Sequence, residues 1–210
     1  MWRPSVCECS VIAPQLRRIS LDRAQQSPMK PLFSVHAGEY LTGSHIERHF
    51  PGVNVWVPAR DTGIDLLVSN RSNRRSVSLQ VKFSKDWLVT DLGPEFQPSL
   101  RACGWWTLNR AKLNQSRADY WVFVLQGFAS RTVDFVIVPP RQLLERLQLV
   151  HGRQGRIQTY LWITKNGRCS ETRGLKKRDQ HLIAHGHFTH HARNFSRWLN
   201  AWSPIAALDR

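Results

Sequence analysis

The chain has 210 residues, 41% of them hydrophobic and nine of them Trp, which is enough apolar material for the core of one domain with appendages and excludes a disordered chain. Thirty Lys and Arg against 15 Asp and Glu give a formal charge of +15, and a folded domain this basic calls for a polyanionic partner. Nucleic acid is the usual one, because phosphate contacts release condensed counterions. No apolar run approaches the roughly 20 residues of a bilayer span, and no secretory signal is visible. Cys7, Cys9, Cys103 and Cys169 form neither a disulfide framework nor paired CxxC knuckles. These features predict a reducing, cytoplasmic setting and no membrane partner.

In chain order, residues 1–30 carry scattered Pro and Arg and no sustained hydrophobic period. Two readings compete: an overlong start with Met29 as the true first residue, or a basic arm that orders on nucleic acid. We adopt the first and set the segment apart from the fold. A helix is predicted over 35–50, stopped by Pro51-Gly52. Gly43 in its middle costs roughly 1 kcal/mol relative to Ala and suggests close packing on a sheet. Strands follow at 53–58 (VNVWVP) and 64–69 (IDLLVS), then a basic turn at 70–75 (NRSNRR). The third strand, 76–83 (SVSLQVKF), alternates: Val77, Leu79, Val81 and Phe83 on one face, Ser78, Gln80 and Lys82 on the other.

Residues 87–104 read as irregular and 105–115 as a helix. The near-continuous apolar run 119–125 (DYWVFVL) is a buried strand, and 133–138 (VDFVIV) another. Pro139-Pro140 introduces a helix over 141–150, 160–164 is a late strand, and 195–202 a closing helix. This order predicts an α/β domain with a central mixed sheet and flanking helices. The core spans 31–150, with a basic, His-rich extension, 151–210, packed on it.

The chemistry-bearing residues cluster early. Phosphodiester hydrolysis needs a divalent cation, an oriented water and a stabilised leaving oxygen. Magnesium takes hard oxygen ligands, so one or two carboxylates suffice. Asp65 opens the second strand after the turn Thr62-Gly63-Ile64. Lys82, on an otherwise apolar strand, needs a carboxylate or a cleft, because burying an unpaired ammonium is costly. Asp65 on the adjoining strand is its natural partner, and Glu39 reaches the same place if the first helix crosses the sheet.

The segment GEYLTGSHIERHFPGVNVWVPARDTGIDLLV…SVSLQVKF resembles the PD-(D/E)XK nuclease superfamily, which includes restriction enzymes, archaeal-type Holliday junction resolvases and many bacterial proteins. The family pattern is a glutamate in the first helix, an aspartate at the second strand and an acid-x-lysine pair on the third. It falls on Glu39, Asp65, and Gln80 with Lys82. WWTLNRAKL…ADYWVFVL also looks like the family's second helix and fourth strand. The resemblance covers about residues 35–125 and implies a restriction-endonuclease-like core and a prokaryotic endonuclease cutting DNA rather than RNA with Mg²⁺, or Mn²⁺ in its place. In that reading Asp65, Gln80, the Val81 carbonyl and Glu39 are the metal ligands, Lys82 positions the nucleophile, and Arg71, Arg74 and Arg75, on a turn beside the site, grip phosphates. Cutting both strands commonly takes two sites, which leaves room for a homodimer. Gln80 stands where most members carry Glu or Asp, as in the Q-x-K variant of one group of intron-encoded homing endonucleases and some restriction-type proteins.

Each residue has a blander explanation on its own. Glu39 suits any helix N-terminus, Asp65 a turn, Lys82 an edge strand, and the three Arg a solvated turn. For Glu39, Asp65 and Lys82, three coincidences in family order are less credible than one site. The rival reading is a nucleic-acid-binding protein that kept the nuclease fold and lost efficient chemistry, favoured by Gln80. A third is a basic RNA-associated structural protein with no nuclease ancestry. His181, His185, His187, His190 and His191, with Cys169 upstream, meet no clean zinc-ligand spacing and read as a cationic surface. Trp105 and Trp106 are able to stack bases, although such pairs more often pack in a core.

Overall fold

The computed structural model describes residues 36–60, 62–88, 92–128 and 130–210; residues 1–30, set apart above, lie outside it. The first part follows the predicted order: α1 (Ala37–His49), β1 (Val53–Trp56), β2 (Leu66–Asn70) and β3 (Ser76–Ser84). Then come β4 (Leu100–Asn109), a short α2 (Arg110–Asn114), β5 (Tyr120–Gly127), β6 (Thr132–Val138) and α3 (Pro140–His151). The chain ends with β7 (Arg156–Thr164), β8 (Cys169–Glu171), α4 (Lys177–Ala184), two 3-10 turns and α5 (Ser203–Ala206).

Five strands form a central mixed sheet in the order β1-β2-β3-β5-β6. All its pairings are antiparallel except β3 with β5, which are parallel. One face carries Leu79, Val81, Val122 and Val124 and is covered by Ile46 of α1 and Ile205 and Leu208 near the C-terminus. The other face carries Trp121, Phe123 and Leu125. It is covered by a second, three-stranded antiparallel sheet, β4-β7-β8, and by Leu143 and Leu147 of α3.

That second sheet corrects the expectation for 87–115. Residues 100–109 form a ten-residue strand, and only Arg110–Asn114 is helical. The segment LRACGWWTLN carries the strand-favouring Trp105, Trp106 and Thr107 in a row, and Ala102, Trp106 and Leu108 turn inward while Trp105, Thr107 and Asn109 are exposed. Gly104, where the expected irregular stretch ends, lies inside the strand and makes room: a Cβ there would stand 2.3 Å from the Trp106 ring. Arg101 of β4 holds Asp134 of β6 through two hydrogen bonds of 2.9 and 2.7 Å, fastening one sheet to the other.

The expected closing helix over 195–202 is also corrected. The chain makes a 3-10 turn at Ser196–Trp198, and Asn200, at φ 51, bends it toward β6. There the Asn200 N–H donates to the Phe135 carbonyl at 2.6 Å and its side-chain oxygen accepts from the Phe135 N–H at 2.9 Å. Pro204 then starts α5, at a first-turn position where its missing N–H costs little. The extension 151–210 carries β7 and β8, and β7 pairs with β4 along its length. Glu171, fully buried on β8, is held by Arg193 at 2.6 Å and His151 at 3.0 Å.

Helix α1 meets β3 through Gly38. A Cβ there would lie 2.7 Å from Phe83 Cβ and 3.2 Å from Val81 Cγ1, whereas a Cβ at Gly43 would meet only Val55 Cγ1, at 3.8 Å. The two glycines should therefore respond oppositely to the same change. Gly38→Ala is expected to lower stability by about 1–3 kcal/mol through overpacking. Gly43→Ala is expected to raise it by up to about 1 kcal/mol through helix propensity. Chemical denaturation of both variants checks this, and shifts of the same sign would contradict the close contact at Gly38.

His45, farther along α1, stacks on Trp202 at 4.6 Å and on His49 at 4.1 Å. Burial, then the neighbouring His49 and Arg48, bring its pKa down from 6.5 to about 4. The unfolded chain then binds a proton more readily than the folded one between those values. Stability present above pH 6.5 is lost as pH falls toward 4. Thermal melts across that window should show the loss, and His45→Phe should flatten it; an unchanged slope in the variant would remove His45 as its source.

Candidate active site

The open end of the β2–β3 hairpin is where the predicted residues meet. Leu66 pairs with Leu79, the last pair of the ladder, so Asp65 and Ile64 would continue toward Gln80 and Val81 if β2 went on. It does not continue, because the chain turns away at Gly63, with φ +82. The Val81 N–H thereby loses a backbone partner, and the Asp65 carboxylate takes its place, with Oδ2 accepting at 2.7 Å. The same oxygen accepts a short hydrogen bond from the Gln80 amide. In the other direction the Asp65 N–H donates to the Leu79 carbonyl at 2.8 Å. Asp65 is 5% exposed, so these charge-assisted bonds replace the water its carboxylate gives up. In a strand the N–H and C=O of one residue point to the same side, so the Val81 carbonyl also faces the gap where β2 ends.

Glu39 arrives from α1. Gly38, one residue earlier, lets the helix lie against Val81 and Phe83, and Glu39 comes to the end of the same strand, 4% exposed. Lys82 shares the Gln80 face of β3, and its ammonium sits 5.4 Å from the centroid of Trp121 on neighbouring β5. Glu39, Asp65, Gln80, Val81 and Lys82 all line a single cleft of about 480 Å³, together with His36, Gly38 and Phe83. His36 and Gly38 escape a reading based on strand alternation, because the helix N-terminus brings them in.

The donor atoms of Glu39, Asp65, Gln80 and Val81 are all oxygens: two carboxylates, one amide and one backbone carbonyl. Such a set suits a hard divalent cation that keeps several waters. Among the described residues, no three His, Cys, Asp or Glu side chains are grouped to hold a metal ion. His36, Glu39 and Asp65 line this cleft without being so grouped, and Gln80 brings an uncharged amide beside Asp65. Its amide nitrogen faces Asp65, and its oxygen lies 3.6 Å from where a Cβ on Gly63 would be. The amide must turn over before its oxygen joins Asp65 as a ligand.

The placement of Arg71, Arg74 and Arg75 corrects the expectation that they flank the site. They lie on the closed end of the hairpin, past Asn70, whereas Asp65 is at the open end. Five residues of strand separate the two ends by about 17 Å. Arg75 instead reaches the carbonyl of Arg210 at 3.2 Å. The cation that follows the site along the chain is Lys85, whose ammonium lies 4.0 Å over Trp87. The run KFSKDW just past Gln80 was the available signal for it.

The tail residues read as ordinary structure. Cys169 is fully buried and its thiol pKa is pushed up by that burial. The ring of His181 packs on Phe96 at 4.8 Å. Trp106 is a core residue set edge-on to Phe123, while Trp105 is 37% exposed. Among the described residues, no helix is long and apolar enough to cross a membrane. Comparison with family models, with characterised proteins and with solved structures finds no match to this chain.

Proposed function

We propose that this protein is a divalent-metal-dependent endonuclease that hydrolyses phosphodiester bonds of DNA, built on a restriction-endonuclease-like core. The observation that carries the reading is the convergence of Glu39, Asp65, Gln80, Val81 and Lys82, drawn from one helix and two strands, on one cleft. Their order along the chain is that of the PD-(D/E)XK pattern. The formal charge of +15 supplies sequence-independent attraction for a phosphate backbone.

In this reading water attacks phosphorus, one P–O ester bond breaks, and the leaving oxygen takes up a proton. Asp65 and Glu39, with the Val81 carbonyl and the Gln80 amide oxygen, would hold Mg²⁺ or Mn²⁺. The bound ion supplies neutralisation of the charge that develops on the phosphate. Lys82 orients the attacking water and faces the negative charge that grows in the transition state. Trp121 holds that ammonium near the strand surface.

A second reading draws on a specific observation. Gln80 donates its amide N–H to the Asp65 oxygen that a cation would use, which fits a nucleic-acid-binding protein with weak or no catalysis. Lys82→Ala separates the two. As an endonuclease, the variant should lose about a hundredfold or more in cleavage rate on DNA with Mg²⁺. Its DNA affinity should change little, because one lost phosphate contact lowers the salt slope by about one unit. A variant that cuts as fast as the parent would contradict the assigned site. A parent that cuts neither DNA nor RNA with Mg²⁺ or Mn²⁺ would make the binding protein the better reading.

A further inference from the structure

Past the cleft, β3 leads directly into a second hollow. Ser84 lies two residues beyond Lys82 on the same strand face, about 7 Å along it. Its Oγ accepts from the Trp105 N–H at 2.9 Å and from the Trp87 indole N–H at 3.2 Å. The Trp87 and Trp105 rings stand edge to face with centroids 5.6 Å apart, and Trp105 meets Tyr160 of β7 in the same manner at 6.2 Å. These three rings, with Phe96 and Trp162 below them, line a hollow of about 560 Å³. That volume lies within the range of small-molecule sites.

The hollow joins a fixed apolar floor to an open aromatic wall. Trp162 is 1% exposed and Phe96 3%, whereas Trp105 is 37% exposed. Cations stand around it. The Lys85 ammonium lies 4.0 Å above Trp87. The Arg173 guanidinium lies 5.3 Å from the Tyr160 ring and donates to its hydroxyl at 3.1 Å. Lys177 pairs with Glu95 at 2.8 Å, so the carboxylate on the lining is neutralised and Lys85 and Arg173 supply the net positive charge. A ligand that matches this surface has a flat π face and carries negative charge on either side. A nucleotide unit in a strand is such a ligand.

We propose that this hollow receives an unpaired nucleobase of the strand whose phosphate lies at Lys82. The proposal rests on the nucleic-acid reading above and narrows its substrate to single-stranded or locally unpaired DNA. A duplex hides its base faces in the stack, whereas an unpaired base offers one to the aromatic wall. The run of β3 from Lys82 to Ser84, about 7 Å, is short enough for neighbouring units of one extended strand to span. The cleft and the hollow therefore act on one continuous strand, with Lys85 between them.

The test is binding without metal, in EDTA. Fluorescence anisotropy compares a labelled all-thymidine oligonucleotide with an otherwise identical abasic one. The parent should prefer the base-bearing strand by about five- to hundredfold. Trp105→Ala and, independently, Tyr160→Ala should abolish that preference while leaving abasic binding and its salt slope unchanged. Trp105→Phe should keep most of it, and thermal melts verify that each variant is folded. Equal binding of the two strands by the parent would overturn the proposal. So would variants that lose affinity for both strands equally. A parent that discriminates bases yet cuts nothing keeps the hollow and removes only the chemistry. A parent that binds neither strand overturns this proposal and the DNA reading together.

Discussion

The site depends on one interaction: a buried Asp65 carboxylate closing the end of a hairpin where the backbone cannot. Strand β2 stops two residues short of Val81, and the carboxylate supplies the acceptor that the Val81 N–H would otherwise lack. A hydrogen bond to a charged group contributes about 1.5–3 kcal/mol, and orphaning a buried N–H costs a similar amount. The same bond fixes the carboxylate beside Gln80 and opens the Val81 carbonyl to the cleft. Structure and proposed chemistry thus draw on the same atoms.

The surrounding layers hold that arrangement from two sides. On one face, α1 approaches within Cβ-excluding distance of β3 at Gly38 and delivers Glu39. On the other, Trp121 and Phe123 seat the second sheet, so Lys82 stands over Trp121 at the edge of a packed core rather than in open solvent. The Arg101–Asp134 pair and the Asn200 contacts to β6 fasten the late part of the chain to the central sheet. The aromatic hollow lies on the outer face of that second sheet, joined to β3 through Ser84. Strand, cleft and hollow are therefore joined by direct hydrogen bonds.

Much of this was legible in the sequence, for identifiable reasons. Period-two alternation in SVSLQVKF put Gln80 and Lys82 on one face, and the hairpin brought Asp65 beside Gln80 just past the end of its ladder. The helix over 37–49 and the strands β1, β2, β3, β5 and β6 followed from the same periodicities and their Pro, Gly and Asn punctuation. Strand β4 was not legible, because Gly104 looks like the end of an irregular stretch until Trp106 is seen folded over it. The arginine turn misled for a topological reason: residues 71–75 are near Gln80 in sequence, but a hairpin puts its turn at the far end from its open mouth. Nothing in the sequence reveals which way the Gln80 amide faces, since that orientation is set by the carboxylate beside it.

The central claim is that Asp65 and Gln80 stand at a cation site, and Gln80→Glu tests it most directly. The substitution replaces an amide that donates to Asp65 with a second carboxylate in contact with it, so the metal-free protein gains repulsion and a bound divalent cation relieves it. Calorimetric titration of Mn²⁺ into parent and variant should show tighter binding in the variant, with Asp65→Asn removing it in both. Unchanged or weaker affinity in Gln80→Glu would contradict the assignment of this cleft as a metal centre.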